Sequence, residues 1–165
     1  MDTIIENVQQ GIFEIGICFE PPVNHQLIFQ PLFQEDFLAL VPKDHVLAQQ
    51  KRVTWQQLCA HPFITLQNPS IIRHIIEENC HKNQIVLDLK VECHQISSLS
   101  HFVAFGMGVS AIPRRFQHFI DQQQNVLIEL VEGEIPPPVG IIYQKDTELS
   151  NASAEFIDIM LKHHF

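Results

Sequence analysis

The sequence predicts an α/β fold with mixed, mostly parallel sheets, and three observations carry that expectation. Apolar runs at 12–19, 37–41, 63–66 and 109–112 are short and rich in β-branched and aromatic residues, as strands buried on both faces are. Between them lie stretches with apolar residues at helical spacing, such as Ile71, Ile72, Ile75, Ile76 and Cys80. The helical stretch 99–105 returns through Gly106 and Gly108 to a short strand, which is half of a crossover unit.

From the N-terminus, Asp2 or Thr3 can cap a short helix carrying Ile4, Ile5 and Val8 and ended by Gly11. The strand at 12–19 is broken by Pro21 and Pro22. Residues 27–33 lead through Gln34, Glu35 and Asp36 into the strand at 37–41, closed by Pro42. Thr54 and Gln57 have capping-box spacing for a short helix with Trp55 and Leu58. His61 ends that helix, because a residue before proline is pushed out of helical geometry.

The strand at 63–66 passes through a loop to Ser70, which caps the helix of Ile71 to Cys80. Along 85–93, Leu87, Leu89 and Val91 alternate with Asp88, Lys90 and Glu92, the pattern of a strand with one wet face. Ser97 is placed to cap the helix at 99–105, Gly106 to take the left-handed position after it, and Gly108 to allow close backbone approach. Pro113 stops the strand at 109–112, residues 114–119 suit a helical turn, and 126–131 reads as a strand. The Pro136–Pro138 run suits a stiff connector before a strand at 139–143. Ser150 caps a last helix whose Ala152, Phe156, Ile159 and Met160 are expected to face the core.

Composition narrows the function. With 165 residues, 45% of them apolar and 18% charged, the chain can bury a sizeable core. Its formal net charge is −9 and its ten lysines and arginines are scattered, so it lacks the clustered basic face that displaces counterions from duplex DNA. Cys18, Cys59, Cys80 and Cys93 form no C-x-x-C pair, and no apolar run approaches a membrane span. A cytoplasmic protein with reduced thiols and no membrane partner is expected.

Cys80-His81 and Cys93-His94 are not spaced as zinc ligands, and His163-His164 reads as a solvated terminal pair. No metal or cofactor is expected. Ser110 lies in a strand rather than on a nucleophile elbow, Gly106 and Gly108 are too few for a dinucleotide fingerprint, and no enzyme is expected.

The segment Val103-Ala-Phe-Gly-Met-Gly-Val-Ser-Ala-Ile-Pro113 resembles a signature in the effector-binding domain of LysR-type transcriptional regulators. That signature reads hydrophobic-Val-Ala-x-Gly-x-Gly-Val-x-hydrophobic-hydrophobic-Pro. Segments 11–17, 31–48 and 149–158 match the same family in the same order, so the resemblance covers nearly the whole chain. It implies a two-lobe architecture like that of periplasmic binding proteins, with a ligand cleft between the lobes. Lobe I would comprise 1–35 and 138–165, and lobe II 36–137, with connectors near 34–36 and 132–138. The family opens with a winged helix-turn-helix, a linker helix and a strand–helix–strand. The resemblance therefore implies an incomplete first lobe and a missing DNA-binding domain.

In open parallel sheets, ligands sit beyond the C-terminal strand ends, where helix N-termini present free N–H groups. Two such places match positions where the family contacts its effectors. Thr65, Gln67 and Ser70 follow one strand, and Gln95, Ser97 and Ser98 follow another. Ser70 and Ser97 also read as ordinary caps. Arg73, one turn into its helix, can clamp a carboxylate, and the competing reading pairs it with Glu77 at i+4. The expected function is sensing of a small anionic metabolite by a homo-oligomeric LysR-type regulator that reaches DNA only through the missing domain. A solute-binding receptor of a transport system is the alternative.

Overall fold

The computed structural model describes residues 2–133 and 136–162. The chain runs α1 (Asp2–Gln9), β1 (Ile15–Phe19), β2 (Leu27–Phe33), β3 (Phe37–Pro42), β4 (Arg52–Thr54), α2 (Trp55–Cys59), β5 (Phe63–Leu66) and α3 (Ile71–Lys82). It continues with β6 (Leu89–Cys93), α4 (Ile96–Ala104), β7 (Ser110–Pro113), β8 (Asn125–Val131), β9 (Val139–Gln144) and α5 (Asn151–Lys162). Two compact units result, one from residues 1–35 and 136–165 and the other from 36–135. The His163-His164 pair lies outside the described residues.

In the first unit, β9 lies between β1 and β2 and pairs antiparallel with both. Val8 of α1 packs with Cys18 and Ile142, against which Ile4, Ile5, Leu27 and Phe29 also lie. The expected strand at 12–19 begins only at Ile15, because the N–H groups of Ile12 and Phe13 both donate to Asn7 O (2.9 and 3.1 Å). Ile17 is 43% exposed while Gly16 and Cys18 are buried, so β1 is covered on one face rather than two.

Ser150 caps α5 by accepting from Ser153 N (3.3 Å), and Glu14 accepts from Ser150 Oγ (2.6 Å) and Ser153 Oγ. The inward face of α5 differs from expectation. Ile157 is its buried residue, with Ser153 and Met160 half-buried on the same line, whereas Ala152, Phe156 and Ile159 are exposed. Two apolar stripes overlap on this helix, and the one through Ile157 is the inward one.

The second unit carries β4-β8-β3-β7 and the pair β5-β6. A parallel bridge, Phe63 to Val109, links them, reinforced by Ile64 N donating to Val109 O and Val109 N donating to Pro62 O, both at 2.8 Å. A Cβ on Gly108 would lie 2.4 Å from Pro62 O, so only glycine admits this approach. Gly106 sits at φ +73° after α4, as expected of a residue that ends a helix in the left-handed region. The capping box is also formed: Thr54 Oγ1 accepts from Gln57 N (3.1 Å), and Gln57 Oε1 accepts from Thr54 N (2.9 Å).

Leu40, Ile64, Leu66, Leu99, Val103 and Ile112 are buried together, joining β3, β5, β7 and α4 in one core. The sheets are mixed, but antiparallel pairing is the larger share among the described residues. β4–β8 and β5–β6 are parallel, whereas β3 runs opposite to both of its neighbours, β7 and β8. The entering strand is inserted between two parallel strands, which the apolar runs alone do not reveal.

Arg114, directly after β7, fixes this arrangement. Its Nε donates to both oxygens of Asp36 (2.9 and 2.8 Å), and Nη1 and Nη2 donate to Glu129 on β8 (3.0 and 2.6 Å). A lysine cannot satisfy two carboxylates in this fork geometry. Arg114→Lys is expected to lower stability by about 1 kcal/mol, a modest figure because all three side chains are a third or more exposed. Hydrogen bonds from Arg114 hold the Glu129 carboxyl below its ordinary range. A carboxylate with a depressed folded pKa stabilises above its unfolded value and loses that contribution as pH falls through the folded one. Urea titrations should therefore show the parent–variant difference shrinking below about pH 4.3.

Candidate functional site

The candidate site is assembled by one parallel strand pair. β5 and β6 run side by side with Leu66 opposite Cys93, so both chains leave the sheet at the same edge. Residues 67–70 and 94–95 then form adjacent loops, each leading into a helix. Gln67 N donates to Cys93 O (2.9 Å), and Gln67 Nε2 meets His94 Nδ1 at 2.7 Å. Six of the seven residues singled out from sequence, Thr65, Gln67, Ser70, Gln95, Ser97 and Ser98, lie on these strand ends and helix starts. The seventh, Arg73, lies in the first turn of α3.

The expected β6 at 85–93 is shorter in the structure. Burial alternates from Ile85 to Glu92, yet the ladder starts at Leu89, because β5 offers only four residues to pair with.

The two helix starts differ. Ser70 caps α3, its Oγ accepting from Arg73 N (3.4 Å). α4 begins at Ile96, three residues before the expected start, because Ile96 packs against the Leu66–Leu99 core. Its N-cap is Gln95, which makes no side-chain capping bond. Ser97 is therefore not the cap. It lies exposed in the first turn, its carbonyl accepting from Ser100 Oγ (2.8 Å) and His101 Nδ1 (2.7 Å). The first intrahelical donor is Leu99 N, to Gln95 O, so the N–H groups of Ile96, Ser97 and Ser98 precede the helical ladder. With the Ser97 and Ser98 hydroxyls beside them, they form an exposed donor cluster with the polarity that favours an anion.

Thr65 stands one residue before the end of β5, 1% exposed, with Oγ1 buried and unpaired. Cys93 Sγ contacts the carbonyl oxygens of Thr65 (3.5 Å) and Gln95 (3.7 Å), holding the two strand ends together.

Arg73 is 9% exposed. Its Nε donates to Glu77 Oε1 (2.7 Å), and its Nη1 to a carboxylate oxygen of Glu92 and to Leu66 O (3.4 Å). Hydrogen bonding to Glu77, then to Glu92, raises its pKa against the opposing effect of burial. The i+4 pair with Glu77 is thus formed, and it is joined by a partner on β6 that sequence spacing does not indicate. Strand alternation places Glu92 on the outward face, which is the signal that could have found it. His94 opens the second loop as the sequence places it, but its contact with Gln67 has no sequence signal, because periodicity assigns no direction to loop side chains.

A family model described as the LysR substrate binding domain matches residues 1–164. The uncharacterized HTH-type transcriptional regulator YbhD of Escherichia coli (strain K12) is 30% identical over 157 residues, covering 95% of this chain and 50% of that protein. The transcriptional dual regulator GltC of Bacillus subtilis (strain 168) is 25% identical over 160 residues, covering 96% and 53%. The chain spans about half the length of these curated relatives.

Among solved structures, the effector binding domain of QuiR in complex with shikimate gives a TM-score of 0.82 at 18% identity, covering 99% of this chain and 78% of that one. The regulatory domain of CcmR from Synechocystis PCC6803 in complex with 2-PG gives 0.83 at 19% identity, covering 97% and 77%. These likenesses establish the periplasmic-binding-protein-like α/β fold.

If Arg73 ties α3 to β6, its ion pair with Glu92 should be energetically coupled in solution. A double-mutant cycle with Arg73→Met and Glu92→Gln is expected to give about 1 kcal/mol of coupling, limited by the half-exposed Glu92. Additive urea denaturation energies would show that the pair contributes nothing.

Proposed function

The chain belongs to the LysR substrate binding domain family, and from that premise we propose that it senses a small anionic metabolite at the adjoining ends of β5 and β6. One observation carries this reading: the parallel β5–β6 pair brings an uncapped helix start, two exposed serines and the Gln67–His94 contact to one edge. The N–H groups of Ile96, Ser97 and Ser98 and the two serine hydroxyls receive the anion. Gln67 and Gln95 supply amide groups for the neutral part of the molecule, and the unpaired Thr65 Oγ1 is an additional partner at the strand end. Ser70 caps α3 beside them. Arg73 acts as a positioning residue, holding Leu66 O and Glu92 in register rather than clamping the ligand.

Relatives over almost the whole of this chain are transcriptional regulators. We therefore read the domain as the sensing part of a cytoplasmic, homo-oligomeric regulator. Its ligand favours one conformation by binding that conformation more tightly, which shifts the population presented to a DNA-binding region. The acidic chain itself, at −9, does not hold duplex DNA in this reading. Among the described residues no helix is long and apolar enough to cross a membrane. The transport-receptor alternative is not favoured, since the relatives are regulators.

The test is a thermal-shift screen of carboxylate and phosphate metabolites, shikimate and 2-PG among them, followed by calorimetry. Ser97→Gly and Ser98→Ala should each weaken a confirmed ligand by about ten-fold, the value of one hydroxyl bond to a charged group. Ser97→Ala should leave stability within about 0.5 kcal/mol of the parent, because Ser97 is exposed and caps nothing. Parent-like affinity in both binding variants would place the pocket elsewhere.

A further inference from the structure

The four cysteines are buried and reduced, but they are not equivalent. Cys93 Sγ faces backbone carbonyls, and Cys18 lies in the first unit. Cys59, the last residue of α2, and Cys80, in the third turn of α3, meet each other. Their sulfur atoms are 3.8 Å apart, and the residues are 4% and 3% exposed. That distance is van der Waals contact between two sulfurs brought together by different helices.

We propose that Cys59 and Cys80 form an intrachain disulfide on exposure to a low-molecular-weight disulfide, making the pair a redox modification site that staples α2 to α3. A disulfide bond is about 2.05 Å long, so the sulfurs must close by about 1.8 Å, a movement within reach of two side-chain rotations and a small helix shift.

The pair also sets the order of attack. The hydrogen bond between the two thiols, in which either sulfur can donate, lowers the Cys80 thiol below its ordinary value and raises that of Cys59. Cys80 thiolate attacks one sulfur of the small disulfide, forming a mixed disulfide and releasing one small thiolate, which takes up a proton. Cys59 then loses its proton to solvent and attacks the Cys80 sulfur, expelling the second small thiol. Two protein thiols and one small disulfide become one protein disulfide and two small thiols, with two electrons passing to the reagent. Burial makes the first step wait on local opening of α2, which is only five residues long.

The chain provides its own readouts. Trypsin cuts after Arg52, Arg73 and Lys82, placing the two cysteines in separate peptides, 53–73 and 74–82. Trp55, the sole tryptophan, is buried one turn before Cys59 on α2. The full chain is incubated with excess oxidised glutathione under native conditions.

The expected product is two hydrogens lighter, carries no glutathione and joins peptides 53–73 and 74–82. It should show quenched Trp55 emission and a higher urea midpoint, both reversed by dithiothreitol. The Cys18→Ala/Cys93→Ala variant should form the same link, and Cys80→Ser should not. The double variant keeps the test sound if Cys80→Ser fails to fold. Four thiols still open to alkylation after unfolding, a stable glutathione adduct at either residue, or a link through Cys18, Cys93 or a second chain would each overturn the proposal. The site is independent of the effector reading, and either can fail without the other.

Discussion

A guanidinium almost out of water holds the candidate site in shape. Arg73 reaches from α3 to the carbonyl of Leu66 at the end of β5 and to Glu92 on β6, with Glu77 completing the shell. Burying a charge is costly unless it is paired and hydrogen-bonded, and here two carboxylates and a backbone oxygen meet that demand. The loops that follow each strand begin within a residue or two of these contacts. Their positions therefore depend on a charge network beneath them rather than on their own composition, which is polar and exposed. In the proposed reading, a cation committed to structure in this way leaves the recognition of an anion to the helix start and its hydroxyl groups.

The second constraint is steric. β5 and β7 belong to different hydrogen-bonded sets, and one bridge at Phe63 and Val109 joins them. The join requires Gly108 to lie against the Pro62 carbonyl, where any side chain would collide. On one side of it, Ile64, Leu66 and Ile112 meet Leu99 and Val103 of α4 in a shared core. The same packing draws Ile96 inward and sets where α4 begins. A glycine thirteen residues from Gln95 in sequence, joined to it through α4, thus helps place the cap position that shapes the site's donor cluster.

Local chemistry was well expressed in the sequence. The Thr54–Gln57 capping box, the Ser70 and Ser150 caps, the left-handed Gly106 and the close approach at Gly108 each follow from a few neighbouring residues, and each is formed. The family resemblance rested on four segments in sequence order, and the family model match spans them. What the sequence did not express was direction. Antiparallel insertion of β3 between β7 and β8, the turned face of α5 and the earlier start of α4 all depend on partners distant in the chain. At the site, residue types in the two loops were legible because strand ends and helix caps have local signals. The Arg73–Glu92 and Gln67–His94 contacts were not, since each links loops or strands that only the β5–β6 pairing brings together.

The placement of β9 between β1 and β2 has a consequence for biosynthesis. A chain emerging from the ribosome releases β1 and β2 before β9, but these strands do not pair with each other, and their common neighbour is translated about a hundred residues later. The second unit, continuous from 36 to 135, is fully synthesised before β9 appears and can collapse on its own timetable. During that interval Leu27, Phe29 and Cys18 have no sheet to cover them, and two unpaired strand edges remain open. The nascent chain therefore carries a built-in delay in which the β1–β2 segment is a natural client for a chaperone that shields apolar strands until β9 is synthesised.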